Sequence, residues 1–514
     1  MQSEVDKYQG LRDAVKNGHY KKTVMTTRFA PLFLILATLT ACTEPAPNKE
    51  QTSTTDAAPK SSLEQRIEGI ENSVMPSLQI TGREVPTYNI DERLEELGIP
   101  GLSVAFAVDG EIQWARAYGM ADVAEGRKMT PDTMLLAGSI SKPVAALRAL
   151  QMVEAGTFDL DENINSYLTS WQVADNEFTE IEKVNLRRIL NHTAGLTVWG
   201  FPGYDKGDEI PSTVDVLDGK GNTDAVTVYK TPGEGWQYSG GGYTIMQLAI
   251  TDNQPEGFVQ SLQTHVLDPL GMQKSTFANP LPESMHGIAA TGYRGNGDEV
   301  EGKWPIYPEM AAAGLWTTAS QLVRYGTEIQ RILRTGEDGI LSHEMVVQML
   351  DAEPDAHGLG PSIQEHTFGH GGADEGFRAQ LFAWKDLPFA VVIMVNSDNG
   401  SIIRELLLAI ANEYELPGIA PVVRTIEPLT SEQLAPFVGR YNMNGDIYDT
   451  NVDGESVVIN GVGFDFTDRL LPQSTTELFS ESSGTVLSFT IEGDIAISFT
   501  VFGQTAVRFE EQPE

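Results

Sequence analysis

Ser139-Ile140-Ser141-Lys142 pairs a hydroxyl with an amine three residues later, the one serine–lysine pair at that spacing in the chain. On a helix, residues three apart share a face, so the lysine stands within reach of the hydroxyl proton and Ser139 becomes a candidate nucleophile. The spacing predicts a helix starting here. Pro143 is tolerated only in a first turn, Val144, Leu147, Leu150 and Val153 recur at helical intervals, and Gly156 is a stop signal. At a helix start the serine's own N–H points outward, and the positive end of the dipole favours a developing oxyanion. The same residues also fit a plain N-cap with a chance lysine behind it.

An acyl-transfer site further needs a proton for the leaving group and two donors for the oxyanion. Two segments offer them. Tyr238-Ser239-Gly240-Gly241-Gly242 sets a phenol at the edge of a glycine-rich turn, where backbone can come close to a ligand. Phe368-Gly369-His370-Gly371-Gly372-Ala373 sets a histidine beside glycines just ahead of a strand pair. Taken singly, each reads as packing or as a loop; the three in this order carry more. His192, beside the turn at 191–195, reads as a loop-fixing hydrogen bonder.

In that order the segments resemble the S-x-x-K, Y-x-N or Y-S-x, and K-T-G or H-x-G motifs of the serine β-lactamase and penicillin-binding-protein superfamily. The likeness is greatest to its class C, esterase and D-aminopeptidase-like branch. Runs at 150–161, 191–196, 269–272 and 312–318 look like signatures of the same family, so the resemblance spans about 94–412. It implies that Ser139 is acylated, Lys142 accepts its proton, Tyr238 relays that proton to the leaving group, and His370 takes the place of the usual lysine on the far wall. It further implies an oxyanion hole from the N–H groups of Ser139 and Ala373, with Gly240, Gly371 and Gly372 against the substrate. To accept a proton, Lys142 must be uncharged part of the time, which burial or a cationic neighbour would favour. The implied reaction is hydrolysis of an ester or amide through an acyl-enzyme, on a small ester, a D-amino-acid or peptidoglycan-derived peptide, or a β-lactam. Two departures weigh against a penicillin. Gly240 stands where β-lactamases carry asparagine, and His370, only partly charged at neutral pH, stands where they carry a lysine that fixes a substrate carboxylate.

Other chemistry finds no motif. There is no G-x-S-x-G, and His343-Glu344 lacks the second histidine of H-E-x-x-H. The run 297–303 fits a phosphate loop except that Trp304 replaces the metal-binding hydroxyl. His366 and His370 are four apart but fall in a region reading as strand and turn, so no metal and no cofactor is expected. A non-catalytic envelope protein that binds peptidoglycan peptides or a protein partner stays open as the alternative, although such a module has no need of Ser139, Lys142 and Tyr238 together.

The elements that position these residues read as α+β. Strand-like runs at 102–108 and 112–118 join across Asp109-Gly110, a two-residue hairpin signal. Helical patterns follow at 186–190, 244–250, 258–267, 319–333 and 342–350, then strands at 377–384 and 389–395 and a helix at 402–413. This order suggests one antiparallel sheet assembled from both ends of the domain, flanked by helices and carrying a helical subdomain, in the β-lactamase/transpeptidase-like arrangement. Residues 200–224 read as a long surface loop shaping access. The proposed layout is a hydrolase domain over 63–416, a proline-rich linker over 417–430, and a small β-barrel-like domain over 431–514, similar to the lipocalin-like domains found behind such hydrolases.

Composition bounds the partners. The formal charge is −37, spread along the chain, and no basic patch with interleaved aromatics occurs, which argues against nucleic acid. Cys42 is the single cysteine, so no intramolecular disulfide and no thiolate zinc site can form. It follows Lys21, Lys22, Arg28 and an apolar run over 29–41 too short to span a bilayer. Leu39-Thr40-Ala41-Cys42 resembles the bacterial lipoprotein box. Residues 1–41 are therefore expected to be an upstream extension and signal, with translation from Met25. Residues 42–62 would form a flexible tether, and Cys42 the lipidated anchor of an outer-membrane protein facing the periplasm, with no other membrane contact.

Overall fold

Turn chemistry fixes the first hairpin. Asp109 and Gly110 both take positive φ, 52° and 87°, the geometry that matches the twist of two antiparallel strands. They join β1 (Gly101–Val108) to β2 (Glu111–Asp122). With β3 (Arg127–Lys128), β4 (Ser362–Ile363), β5 (Thr367–Asp374), β6 (Phe377–Trp384) and β7 (Phe389–Val395), these make a sheet in the order β3-β2-β1-β7-β6-β5-β4. Its strand pairs are antiparallel, and β1 pairs with β7, so the two ends of the domain meet at its centre as the element order implies. The structure, a computed structural model, describes residues 62–443, 445–463, 466–501 and 504–509. Cys42 and the expected signal over residues 1–41 lie outside the described residues.

Both faces of the central strands are covered, and the period of two sorts their side chains. Leu102, Val104, Phe106 and Val108 of β1 face a core shared with α1 (Ser62–Glu71) and α5 (Ser401–Tyr414). Ala105 and Ala107 face the larger core, which holds α2 (Ser141–Glu154), α3 (Gly240–Asn253) and α4 (Ala319–Thr335). Small residues on that side let α4 lie close: a Cβ on Gly326 would sit 3.1 Å from the Ala383 methyl.

Three segments depart from the sequence reading. The stretch 200–224 is not all surface loop: Thr213–Leu217 forms a short helix, and Tyr204, Val216 and Leu217 are buried. The proline-rich stretch is not a bare linker either, since Val422–Arg424 pairs in parallel with Leu78–Ile80. Finally, the C-terminal β unit begins with helical turns, Ser431–Leu434 and Ala435–Phe437, whose Leu434 and Phe437 enter its core. The strands themselves run as expected and close fully. They are β8 (Gly439–Met443), β9 (Asp446–Asp453), β10 (Ser456–Gly461), β11 (Thr467–Pro472), β12 (Glu477–Ser480), β13 (Val486–Glu492), β14 (Ile495–Val501) and β15 (Gln504–Arg508), with β8 paired to β15. Phe437, Tyr441, Phe489 and Phe499 stack inside, which leaves this small barrel filled rather than open.

The helix that follows Ser139 is stopped as the sequence implies. Gly156, at φ +72°, lets its N–H reach the Val153 carbonyl and the Thr157 N–H reach that of Met152, satisfying two end carbonyls. A Cβ there would meet nothing within 4 Å, so the penalty of a side chain is backbone strain alone. Gly156→Ala is expected to lose about 1–2 kcal/mol in urea unfolding, with an unchanged m value; no loss would mean that the turn is not held in this conformation.

Candidate active site

Ser139 lies not in the first turn of α2 but in the 3-10 turn Gly138–Ile140 that leads into it. The displacement has a local cause. Ser141 Oγ donates to the Gly138 carbonyl at 2.6 Å and accepts from the Leu315 N–H at 2.9 Å, so it both tightens the turn and staples it to the neighbouring segment. Behind it, α2 is buried from Ser141 through Leu150, which leaves the turn little freedom to shift.

Lys142 projects from the first turn of α2 and is 2% exposed. Its Nζ stands 3.0 Å from Ser139 Oγ and 2.8 Å from the Ala312 carbonyl, and 4.9 Å from the centre of the Tyr238 ring. The serine, the lysine and the phenol named from the sequence are therefore in one place, and the Ala312 carbonyl joins them as a second acceptor that aims the amine.

Tyr238 is held from both sides by one residue. Gln237 N–H donates to the His192 carbonyl at 2.7 Å, and Ser239 N–H donates to His192 Nδ1 at 3.1 Å. His192 thus does fix the backbone, from a left-handed conformation (φ +60°) that non-glycine residues seldom adopt, but it does so inside the site: its ring lies 4.2 Å from that of Tyr238. Ser239 caps α3 by accepting from the Gly242 N–H, so the glycines after Tyr238 are a helix start rather than a turn. Gly240 is accordingly buried. A Cβ there would lie 2.9 Å from the Phe201 ring and 3.2 Å from the Trp199 carbonyl, so Gly240 packs beneath the 199–201 segment and does not face substrate as expected.

His370 also differs in setting, since it lies within β5 and not ahead of the strands. β4 pairs with β5 only through Phe368 and Gly369. Beyond them, the strand meets the turn that carries Ser139: a Cβ on Gly372 would fall 2.0 Å from the Ala137 carbonyl oxygen, and one on Gly138, at φ +53°, would fall 2.4 Å from the Ala373 nitrogen. Ser139 and Ala373, the two expected oxyanion donors, are thereby set on facing backbones, with Gly371 and Gly372 half-buried alongside.

Sequence reasoning missed His357, Glu309 and Asp374. His357 sits on an irregular segment, its ring 4.8 Å from His192, 5.5 Å from His370 and stacked on the half-exposed Trp236. The one available signal was its setting before Gly358, which resembles that of His370 between glycines. Burial, with the charge of Lys142 as the next cause, holds His357 down at about 4 and His370 at about 3. His192 is held well below the usual imidazole range, again chiefly by burial. His370 is therefore uncharged at neutral pH, a stronger departure from a fixed cation than its residue type alone implies. The carboxyls move the other way: burial lifts Glu309 to about 7 and Asp374 to about 8, the latter against the pull of Lys142, Arg378 and the Gly138 N–H.

The family model described as Beta-lactamase matches residues 88–412. A penicillin-binding protein of Bacillus subtilis (strain 168) is 21% identical over 424 residues, covering 77% of this chain and 91% of that protein. An esterase of Burkholderia gladioli is 29% identical over 201 residues, covering 38% of this chain and 51% of the esterase. In fold, the chain is similar to an octameric penicillin-binding protein homologue from Pyrococcus abyssi, with a TM-score of 0.56 at 20% identity, covering 81% of this chain and 98% of that one.

The buried acids give a test of these electrostatics. Among the described residues neither Glu309 oxygen has a hydrogen-bond partner. A carboxyl raised from its ordinary value near 4.5 to about 7 stays protonated in the folded chain after the unfolded chain has ionised. Its contribution to stability is full below the ordinary value and is lost as pH rises through 7, on the order of 3 kcal/mol in total. Glu309→Gln is expected to remove that slope, so that the gap between variant and wild-type urea midpoints changes between pH 4.5 and 7 and is flat above. Parallel pH profiles would disprove the shift.

Proposed function

Because the chain belongs to the Beta-lactamase family over residues 88–412, we propose that it is a serine hydrolase working through an acyl-enzyme on Ser139. The observation that carries this reading is the 3.0 Å contact between Lys142 Nζ and Ser139 Oγ, made by a buried amine that the Ala312 carbonyl also holds. Lys142 takes the Ser139 proton as the oxygen attacks the substrate carbonyl carbon. The resulting oxyanion is received by the N–H groups of Ser139 and Ala373. The proton then passes by way of Tyr238 to the departing oxygen or nitrogen as the bond to it breaks. Water attacks the acyl group next, releasing the acid and restoring Ser139.

His370 and the glycines Gly371 and Gly372 form the wall opposite the nucleophile. An uncharged His370 offers no fixed cation for a substrate carboxylate, and Gly240, buried under Phe201, offers no side-chain donor. Both support an ester or an amide of a D-amino acid over a penicillin. The half-exposed Trp236 and the exposed Trp199 border the Tyr238 segment and give its mouth an apolar rim. Export as a lipoprotein, anchored through Cys42 to the outer membrane and facing the periplasm, is the location proposed with it; Cys42→Ala is expected to move the protein from the membrane to the soluble fraction of cells, and its retention in the membrane would sink that part.

Intact mass after exposure to a fluorophosphonate tests the chemistry. One adduct is expected on the wild type and none on Ser139→Ala, while Tyr238→Phe should slow turnover of a chromogenic acetate by about 10²-fold or more. A lasting penicillin adduct would overturn the preference for esters and D-amides. If a folded wild type takes no fluorophosphonate, the hydrolase reading fails and a peptide-binding envelope protein replaces it.

A further inference from the structure

Three imidazoles from distant parts of the chain converge beside Tyr238, and each has a nitrogen with nothing to bond. His192 Nε2, His357 Nδ1 and His370 Nε2 are buried and without a hydrogen-bond partner among the described residues. One ring nitrogen from each lies within 4.8 Å of the others. An unpaired buried polar atom is costly and calls for an explanation, and three at one point share a single one. We propose that they form a capture site for a divalent transition metal of the zinc class, and that an ion bound there switches the hydrolase off.

Donor type and the second partner of His370 support this. Imidazole nitrogen suits zinc, copper or nickel, and three such donors leave a fourth position for water or a substrate atom. A metal-binding histidine usually donates its other N–H to a carbonyl, which fixes the ring. His370 does so: Nδ1–H donates to the Gly371 carbonyl at 2.5 Å, leaving the Nε2 lone pair free. Tetrahedral zinc with bonds of about 2.0–2.1 Å needs nitrogens roughly 3.3 Å apart, so the rings must draw together. His357 is the least buried of the three rings, on a segment joined to Ser362 by an isolated bridge.

His192 supplies the coupling to activity. At rest its Nδ1 accepts the Ser239 N–H, so the neutral ring carries its proton on Nε2. Ligation by Nε2 shifts that proton to Nδ1 without changing the charge of the ring. Two N–H groups then face each other, and Ser239 must turn away. Tyr238 is the adjacent residue, stacked 4.2 Å from the same ring, so it leaves its place over Lys142. The metal also occupies the lone pair of His370 on the substrate wall.

Metal capture stands apart from the hydrolase reading, whereas the switching-off rests on it. The untagged full chain, equilibrated with zinc chloride by dialysis, is expected to hold one zinc ion that EDTA removes, and the cobalt form to show the visible bands of a tetrahedral nitrogen-ligated ion. His357→Ala should lose the ion, with His357→Gln standing in if circular dichroism finds the alanine variant unfolded. Saturating zinc is expected to slow fluorophosphonate labelling of the wild type at least tenfold and to leave labelling of the His357 variant unchanged. No saturable zinc, or zinc retained by the variant, overturns the site; zinc bound with labelling unaffected overturns the switch. A wild type that never labels counts against the hydrolase reading alone, because dialysis still decides the site.

Discussion

Backbone packed on backbone is the constraint from which the site follows. The turn at Gly138 and the strand at Gly372 approach so closely that a methyl group on Gly372 would lie 2.0 Å from the Ala137 carbonyl oxygen, and one on Gly138 2.4 Å from the Ala373 nitrogen. No side chain can occupy that seam, so beyond the short pairing with β4 the edge of the sheet is finished by the turn that carries Ser139. The central strands, α2 behind the turn and the Ser141 staple to Leu315 all serve to keep those two backbones in register. The oxyanion hole proposed at Ser139 and Ala373 needs such rigidity, since a hole of that kind works by being formed before the charge arrives.

Burial then decides the charge of what surrounds the serine. Around Lys142 burial holds the histidines neutral and lifts the Asp374 carboxyl to about 8, and it lifts that of Glu309 to about 7. The whole chain carries a formal net charge of −37, to which these histidines and Asp374 contribute little. Neutral imidazoles and a protonated Asp374 leave this site little with which to grip a fixed anion.

What the sequence disclosed was local. Asp109-Gly110 announced its hairpin because two residues alone set that turn, and the spacing of Ser139 and Lys142 announced their contact because one helical turn sets it. Tyr238 and His370 were reached through motif order. The gathering of His192, His357 and His370 was not legible, because each ring is placed by a different element and no periodicity links a loop, an irregular segment and a strand. Glu309 was equally silent: an acidic residue in an acidic chain reads as surface until its neighbours are known, and here it is 0% exposed. The parallel pairing of Leu78–Ile80 with Val422–Arg424 was hidden for the same reason, being made by segments at opposite ends of the hydrolase domain.

That small ribbon has a mechanical meaning. The chain enters it at Leu78 and leaves it at Arg424, and because the two strands run the same way, tension between the segment before it and the barrel after it pulls them along their length in opposite directions. The hydrogen bonds are thus loaded in shear and share the force, where an antiparallel pair gripped at one end would unzip bond by bond. Arg424 extends the clasp by donating to the Gly484 carbonyl of the barrel at 2.8 Å. Residues 81–421, the seam between Gly138 and Gly372 included, lie in a loop closed by this clasp, and α1 ahead of it is tied to that loop by Arg66–Glu413 and Tyr118–Glu71.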